Sequence, residues 1–133
     1  MKRLVVALVM MAGPILAGPA MADPVEGLWK TKPDDNGNFG HVKIATCGAA
    51  LCGTLVQAFD STGAKRESEN IGRQIVWDMM PAGDGSYADG QIWAPDRDKT
   101  YAAKMSLAGD ALSVSGCVMG GMICRAQDWS RVK

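Results

Sequence analysis

Eight short runs in which apolar and polar residues alternate, near 25–31, 39–47, 51–59, 71–79, 87–94, 99–107, 111–117 and 122–131, constrain this chain more than any other feature. In "TYAAKMSL", Tyr101, Ala103, Met105 and Leu107 fall on one side, with Lys104 and Ser106 on the other. In "ALSVSGC", Leu112, Val114 and Gly116 alternate with Ser113 and Ser115. A period of two belongs to an extended strand with one buried face; a helix would repeat near 3.6. The intervening "KPDDNGNFG", "CGAAL", "PAGDGS", "APDRDK", "LAGD" and "VMGG" are rich in Gly, Pro, Asn and Asp, the residues of tight turns. No stretch reads as a helix. The pattern predicts an all-β fold: a small eight-stranded antiparallel up-and-down barrel, in which closure removes the unpaired edges of an open sheet. A β-sandwich is the alternative.

The start of the chain has a different character. Lys2 and Arg3 precede the apolar run 4–11, and "AGPAMA" ends in the small-x-small pattern Ala20, Met21, Ala22 that suits signal cleavage. Residues 1–22 are therefore expected to be a signal peptide and residues 23–133 a single mature domain in the periplasm or the medium. Gly13, Pro14, Gly18 and Pro19 interrupt the apolar run well short of the roughly 20 residues that a spanning helix needs, so no transmembrane segment is expected after cleavage. The 111 residues that remain carry 12 basic and 14 acidic side chains, scattered singly. They offer no basic face for nucleic acid.

Cys47, Cys52, Cys117 and Cys124 all lie in the exported part, where an even count reads as disulfides. Their spacings match the usual zinc patterns poorly, and the sole histidine, His41, is six residues from the nearest Cys. In an up-and-down barrel the turn after the second strand and the turn after the seventh lie at opposite ends. Each turn is flanked by one cysteine pair, so the local pairings Cys47 with Cys52 and Cys117 with Cys124 are favoured.

Nothing converges on catalysis. "DDNGNFG" has Asp34, Asn36 and Asn38 but lacks the glycine position and the terminal Glu of a calcium loop, and reads as a turn. Asp96 and Asp98 follow a proline and are expected to cap backbone amides. His41 falls with Lys43 on the outer face, with no nucleophile or orienting carboxylate indicated. No catalytic residue, cofactor or metal is expected, and the chain is not read as an enzyme.

The two ends of the domain carry a further signal. Gly27 and Trp29 in "EGLWKT" and Arg131 in "WSRVK" resemble the arrangement of calycin barrels, the lipocalin-like group, where the indole lies across the closed end beneath an arginine of the last strand. A guanidinium over an indole contributes about 0.5 to 2 kcal/mol and ties the chain ends together. "EGLWKT", "CGAALCGTL", "IGRQIVWDM", "GQIWAPDRDKTYAAKMSL" and "GDALSVSGCVMGGMICRAQDWSRV" follow the order found in exported bacterial proteins of the domain-of-unknown-function 2147 family, which this chain resembles over nearly all of 23–133. The resemblance implies a small calycin-like barrel that binds an apolar ligand, and it brings no catalytic residues. The stretch "STGAKRESEN" departs from the Asn-Pro-Asp type of turn common there.

On this reading a narrow ligand such as an acyl chain would place its tail among Trp77, Tyr101, Met105 and Val114, with Arg73 near a headgroup at the mouth. Arg73 is placed there by the assumption that Ile71, Arg73, Ile75 and Trp77 share one strand face. The alternative function is a non-catalytic module that docks on another cell-envelope protein through loop 60–70, the longest polar connection.

Overall fold

A computed structural model describes residues 22–133, so the expected signal peptide lies outside the described residues except for Ala22. The strands are β1 (Gly27–Lys30), β2 (Phe39–Cys47), β3 (Ala50–Phe59), β4 (Lys65–Arg66), β5 (Gln74–Gly83), β6 (Ser86–Ala94), β7 (Lys99–Ala108), β8 (Ala111–Val118) and β9 (Ile123–Arg131), with a 3-10 turn at Met119–Gly121 before β9. Setting aside the two-residue β4, which adds to the end of β3, each strand pairs antiparallel with the next, and β1 pairs with both β2 and β9. The result is the closed eight-stranded up-and-down barrel that the alternation implies.

The strand expected at 71–79 is displaced to Gln74–Gly83. Gly72 has φ +91°, which interrupts the strand, although Leu55 and Gly72–Arg73 still exchange backbone hydrogen bonds. At the far end, the pair Asp84 (φ +55°) and Gly85 (φ +78°) makes a tight hairpin turn on its own, so "PAG" is strand rather than turn.

Register decides which side chains share the interior. An added Cβ at Gly116 of β8 would meet Ile92 of β6 at 3.5 Å and Tyr101 of β7 at 3.6 Å, a contact between non-adjacent strands that is made only across the concave side. The inward set therefore includes Ile92, Tyr101, Ala103, Met105, Val114 and Leu112, extended by pairing to Val76, Gly53, Ile44, Val42 and Trp29. Asp78 (φ +57°) and Asp89 (φ +62°) interrupt the alternation of β5 and β6, so Val76 and Met79 face inward together, as do Tyr87 and Gly90. Most of these side chains, with Ile75 and Trp93, form one continuous buried cluster, against which the partly buried Ile92 and Leu55 pack.

The connections alternate between two ends. One end carries residues 23–26, the turns at 48–49, 84–85 and 109–110, and the C-terminus; the other carries loops 31–38, 60–73, 95–98 and 119–122. The first end is sealed. Trp29 is fully buried, its indole N–H donates to the Val25 carbonyl at 2.9 Å, and the Arg131 guanidinium carbon lies 4.4 Å from its ring centroid. Arg131 also donates to Asp110 Oδ1 (3.0 Å) and to the carbonyls of Glu26 (3.1 Å) and Pro24 (2.8 Å). Gly27 stands beside it with φ +138°, a backbone conformation that residues with a Cβ rarely adopt, and an added Cβ would also come 3.0 Å from Arg131 Nη1.

Tyr87 completes the seal by donating its hydroxyl to Asp23 Oδ1. Burial, reinforced by that carboxylate, raises the phenol's pKa well above its ordinary value. The folded protein thus retains the proton at a pH where the unfolded phenol, titrating near about 10, has released it. The corresponding stabilisation is complete below that value and is lost as pH rises towards the folded pKa. Denaturant midpoints should fall between about pH 9 and about pH 11 in the parent and fall less in Tyr87→Phe. Equal slopes for the two proteins would remove Tyr87 as the cause.

Cys47 and Cys52 sit at disulfide distance across the sealed-end turn (Cα–Cα 6.0 Å), and Cys117 and Cys124 do so across the turn at the opposite end (Cα–Cα 4.0 Å). Both pairs project to the outer side, since Cys117 alternates with the inward Gly116 and Cys52 with the inward Gly53.

Candidate functional site

The end opposite the seal is built differently. There Leu55, Ile92 and Tyr101 face inward yet stay only half-buried, whereas the inward Leu51, Met79 and Leu112 nearer the seal are buried. Tyr101 lies two residues inside the β7 terminus at Lys99, and at about 3.3 Å per residue the half-exposed layer is roughly 7 Å deep. Below it Met105 (3 % exposed) and Val114 (1 % exposed) form a packed floor. The structure thus brings Tyr101, Met105 and Val114 to one face, as wall and floor of a shallow apolar mouth.

Arg73 and Trp77 do not join them. Val76 pairs with the inward Ile92 and Trp77 with Gln91, so Trp77 projects to the outer side. Trp93 alternates with Ile92 and is likewise on the outer side, where the Arg73 guanidinium carbon lies 3.2 Å above its ring centroid. The assumption that Ile71, Arg73, Ile75 and Trp77 share an inward face fails because β3 and β5 pair with bulges around Gly53–Thr54, which leave Ile75 without a partner on β3.

Arg73 and Trp93 instead line an outer depression of about 300 Å3 with Glu69, Asn70, Pro95 and Asp98. Asp98 accepts the Trp93 indole N–H at 2.9 Å, which is a side-chain contact rather than the backbone cap expected from its turn. A second depression, about 340 Å3, lies over Lys104, Ser106, Ser113 and Ser115 on the outside of β7 and β8.

Asp34 accepts backbone N–H groups from Asn36 and Asn38 at 2.9 Å each, as a turn carboxylate does. His41 lies on the outer side against Phe59, with ring centroids 4.5 Å apart; burial, then the nearby Lys30 charge, lowers its pKa. Among the described residues no group of three or more His, Cys, Asp or Glu side chains is placed to hold a metal ion. No helix of the described residues is long and apolar enough to cross a membrane.

Four residues of the mouth were not singled out in the sequence. Leu55 and Ile92 belong to its apolar wall, and Arg125 and Gln127 stand on β9 opposite Gly116 and Val114. Alternation alone contained the signal for the last two, since Arg125, Gln127 and Trp129 are spaced by two and Trp129 is buried.

Comparison with solved structures finds the same architecture in a protein described as "Protein HP1028 from the human pathogen Helicobacter pylori belongs to the lipocalin family". The TM-score is 0.66 at 15 % identity, over 82 % of this chain and 83 % of the other. At that identity the likeness concerns the fold alone, which is lipocalin-like. Among curated proteins none matches the chain significantly. The family described as "Uncharacterized protein conserved in bacteria (DUF2147)" matches residues 27–131, from the first residue of β1 to the last of β9, and the chain belongs to that family.

Proposed function

We propose that this protein is an exported carrier or sensor barrel that takes a small amphipathic molecule at its unsealed end. The observation that carries the reading is the difference between the two ends: Trp29, Val25 and Tyr87 are buried at one, while inward-facing Leu55, Ile92 and Tyr101 remain half-exposed at the other. Apolar side chains that a barrel turns inward without covering gain free energy when a ligand covers them, at about 25 cal/mol per Å2. The lipocalin-like fold supports binding in general, and the acyl character of the ligand rests on the apolar wall. The packed floor at Met105 and Val114 limits entry to a short apolar group, in place of a chain threaded through the barrel.

The test is a titration with a matched series of fatty acids and fatty alcohols, followed by tryptophan fluorescence and by native mass spectrometry of the complex. Saturable binding is expected, weakened about tenfold in Tyr101→Ala through loss of apolar contact. Folded, ligand-stripped protein that responds to neither series would end the reading.

A second reading, a module that docks on an envelope protein, is favoured by a different feature from loop 60–70. That loop is exposed and polar, and Lys65–Arg66 pair back onto β3. In contrast, Val118, Met119, Met122 and Ile123 are 42, 70, 85 and 54 % exposed at the tip of the β8–β9 hairpin clamped by Cys117 and Cys124.

A further inference from the structure

We infer that Arg125 and Gln127 form a carboxylate-recognition pair at the mouth, and that the ligand is an acid carrying an apolar group; the inference rests on the binding reading above. Both residues lie on the inward face of β9. Gln127 pairs with the inward Val114 and Arg125 with Gly116, and Trp129, two residues on, pairs with the buried Leu112. Gln127 is oriented by its neighbour: the Trp129 indole N–H, which can only donate, is 2.9 Å from Gln127 Oε1. The amide oxygen is thereby committed to Trp129 and the Nε2 hydrogens point away from it. They meet no acceptor among the described residues, and the side chain is half-buried.

Arg125 stands two residues nearer the rim on the same face. It has no carboxylate within ion-pair distance and stacks on no ring among the described residues. Arg131 and Arg73, by contrast, are engaged: Arg131 holds Asp110 and two carbonyls, and Arg73 covers Trp93 on the outside. Gly116, directly across from Arg125, contributes no side chain, and the position its Cβ would take is bounded by Ile92 and Tyr101. A cation and a pre-oriented amide donor thus border the apolar wall, with the side-chain-free Gly116 directly across from the cation.

A carboxylate oxygen accepting from Gln127 Nε2 while its partner accepts from Arg125 satisfies both donors. Its attached alkyl group then runs towards Ile92 and Tyr101. Donors of this kind discriminate an acid from an alcohol of equal length by about tenfold or more, because one of the hydrogen bonds is charge-assisted.

The experiment is a titration of the folded protein with octanoate, octanol and acetate. It is read by calorimetry and by the 15N–1H resonances of the Gln127 side-chain amide and the Trp129 indole. Octanoate is expected to bind at least about tenfold more tightly than octanol and to shift both resonances. Arg125→Gln should abolish the preference by lowering octanoate affinity to about that of octanol, and Arg73→Gln, which lies outside the mouth, should leave both affinities unchanged. Gln127→Glu keeps an acceptor for Trp129, so it should fold normally, yet it should repel octanoate.

Octanol binding as well as octanoate in the parent overturns the inference and leaves the binding function standing. So does an acid preference that survives Arg125→Gln and is lost in Arg73→Gln. Acetate binding as tightly as octanoate supports the donor pair and overturns the apolar wall. Binding of none of the three overturns both the pair and the carrier reading.

Discussion

Trp29→Ala should destabilise the protein by about 3 to 5 kcal/mol, the range for removing a fully buried large ring whose cavity the surroundings cannot close. The surroundings are rigid here for identifiable reasons. The indole fills the sealed end, its N–H is held by the Val25 carbonyl, and the β1–β9 closure is a short ladder of the pairs Trp29–Arg131 and Lys30–Ser130, continued by the Val132 N–H donating to the Leu28 carbonyl at 2.9 Å. Loss of the ring therefore weakens the seam that makes the sheet a barrel. A change of this size is a large share of the roughly 5 to 15 kcal/mol that stabilises a typical domain. Arg131→Ala should cost less, about 1 to 2 kcal/mol, because its side chain is 22 % exposed and water can replace part of what it gives to Asp110, Glu26 and Pro24. Equilibrium urea unfolding checks both values. An unchanged midpoint for the Trp29 variant would mean that the seal contributes nothing.

Met105→Gln should be the next largest effect, at about 2 to 4 kcal/mol, and it should appear in stability before it appears in binding. Met105 is 3 % exposed and pairs with Tyr87 on one side and Val114 on the other, within the continuous buried cluster. An amide at that depth loses apolar burial and meets few partners, and an unsatisfied buried polar group alone costs about 1 to 3 kcal/mol. A ligand tail among Met105, Val114 and Trp77 is therefore not what this interior offers: the first two are floor, and Trp77 is outside. Tyr101 is the better position at which to separate binding from folding, since it is half-buried at the mouth. A Met105→Gln variant with parental stability would show that the floor opens, and would restore the deeper route.

Strand alternation and turn chemistry were enough to indicate the barrel. In 99–107 and 111–117 the inward residues can be read directly, because β7 and β8 pair without a register shift and each side chain alternates faithfully. The same reading failed at 71–79. Gly72 interrupts the strand, and positive φ at Asp78 and Asp89 breaks the period, so adjacent inward positions are three residues apart. A bulge leaves little trace in composition, since Asp is also an ordinary solvent-facing strand residue. For Arg73 the consequence is a change of face.

What the amino-acid sequence determined by itself is local. Period-two alternation, turn residues at the hairpins and Gly27 beside Trp29 depend on neighbours a few positions away, and they were sufficient for the order of the strands and the fold class. Tertiary structure alone decided how the two ends differ. The mouth depends on Leu55, Ile92 and Tyr101 meeting across strands while nothing from loops 31–38 or 60–73 covers them enough to bury them. The donor pair depends on Arg125 facing Gly116 and on Gln127 turning its oxygen to Trp129. Cross-strand register sets both arrangements; it is fixed by hydrogen-bond pairing between distant segments and by the positions of bulges, and a sequence pattern of period two is indifferent to it.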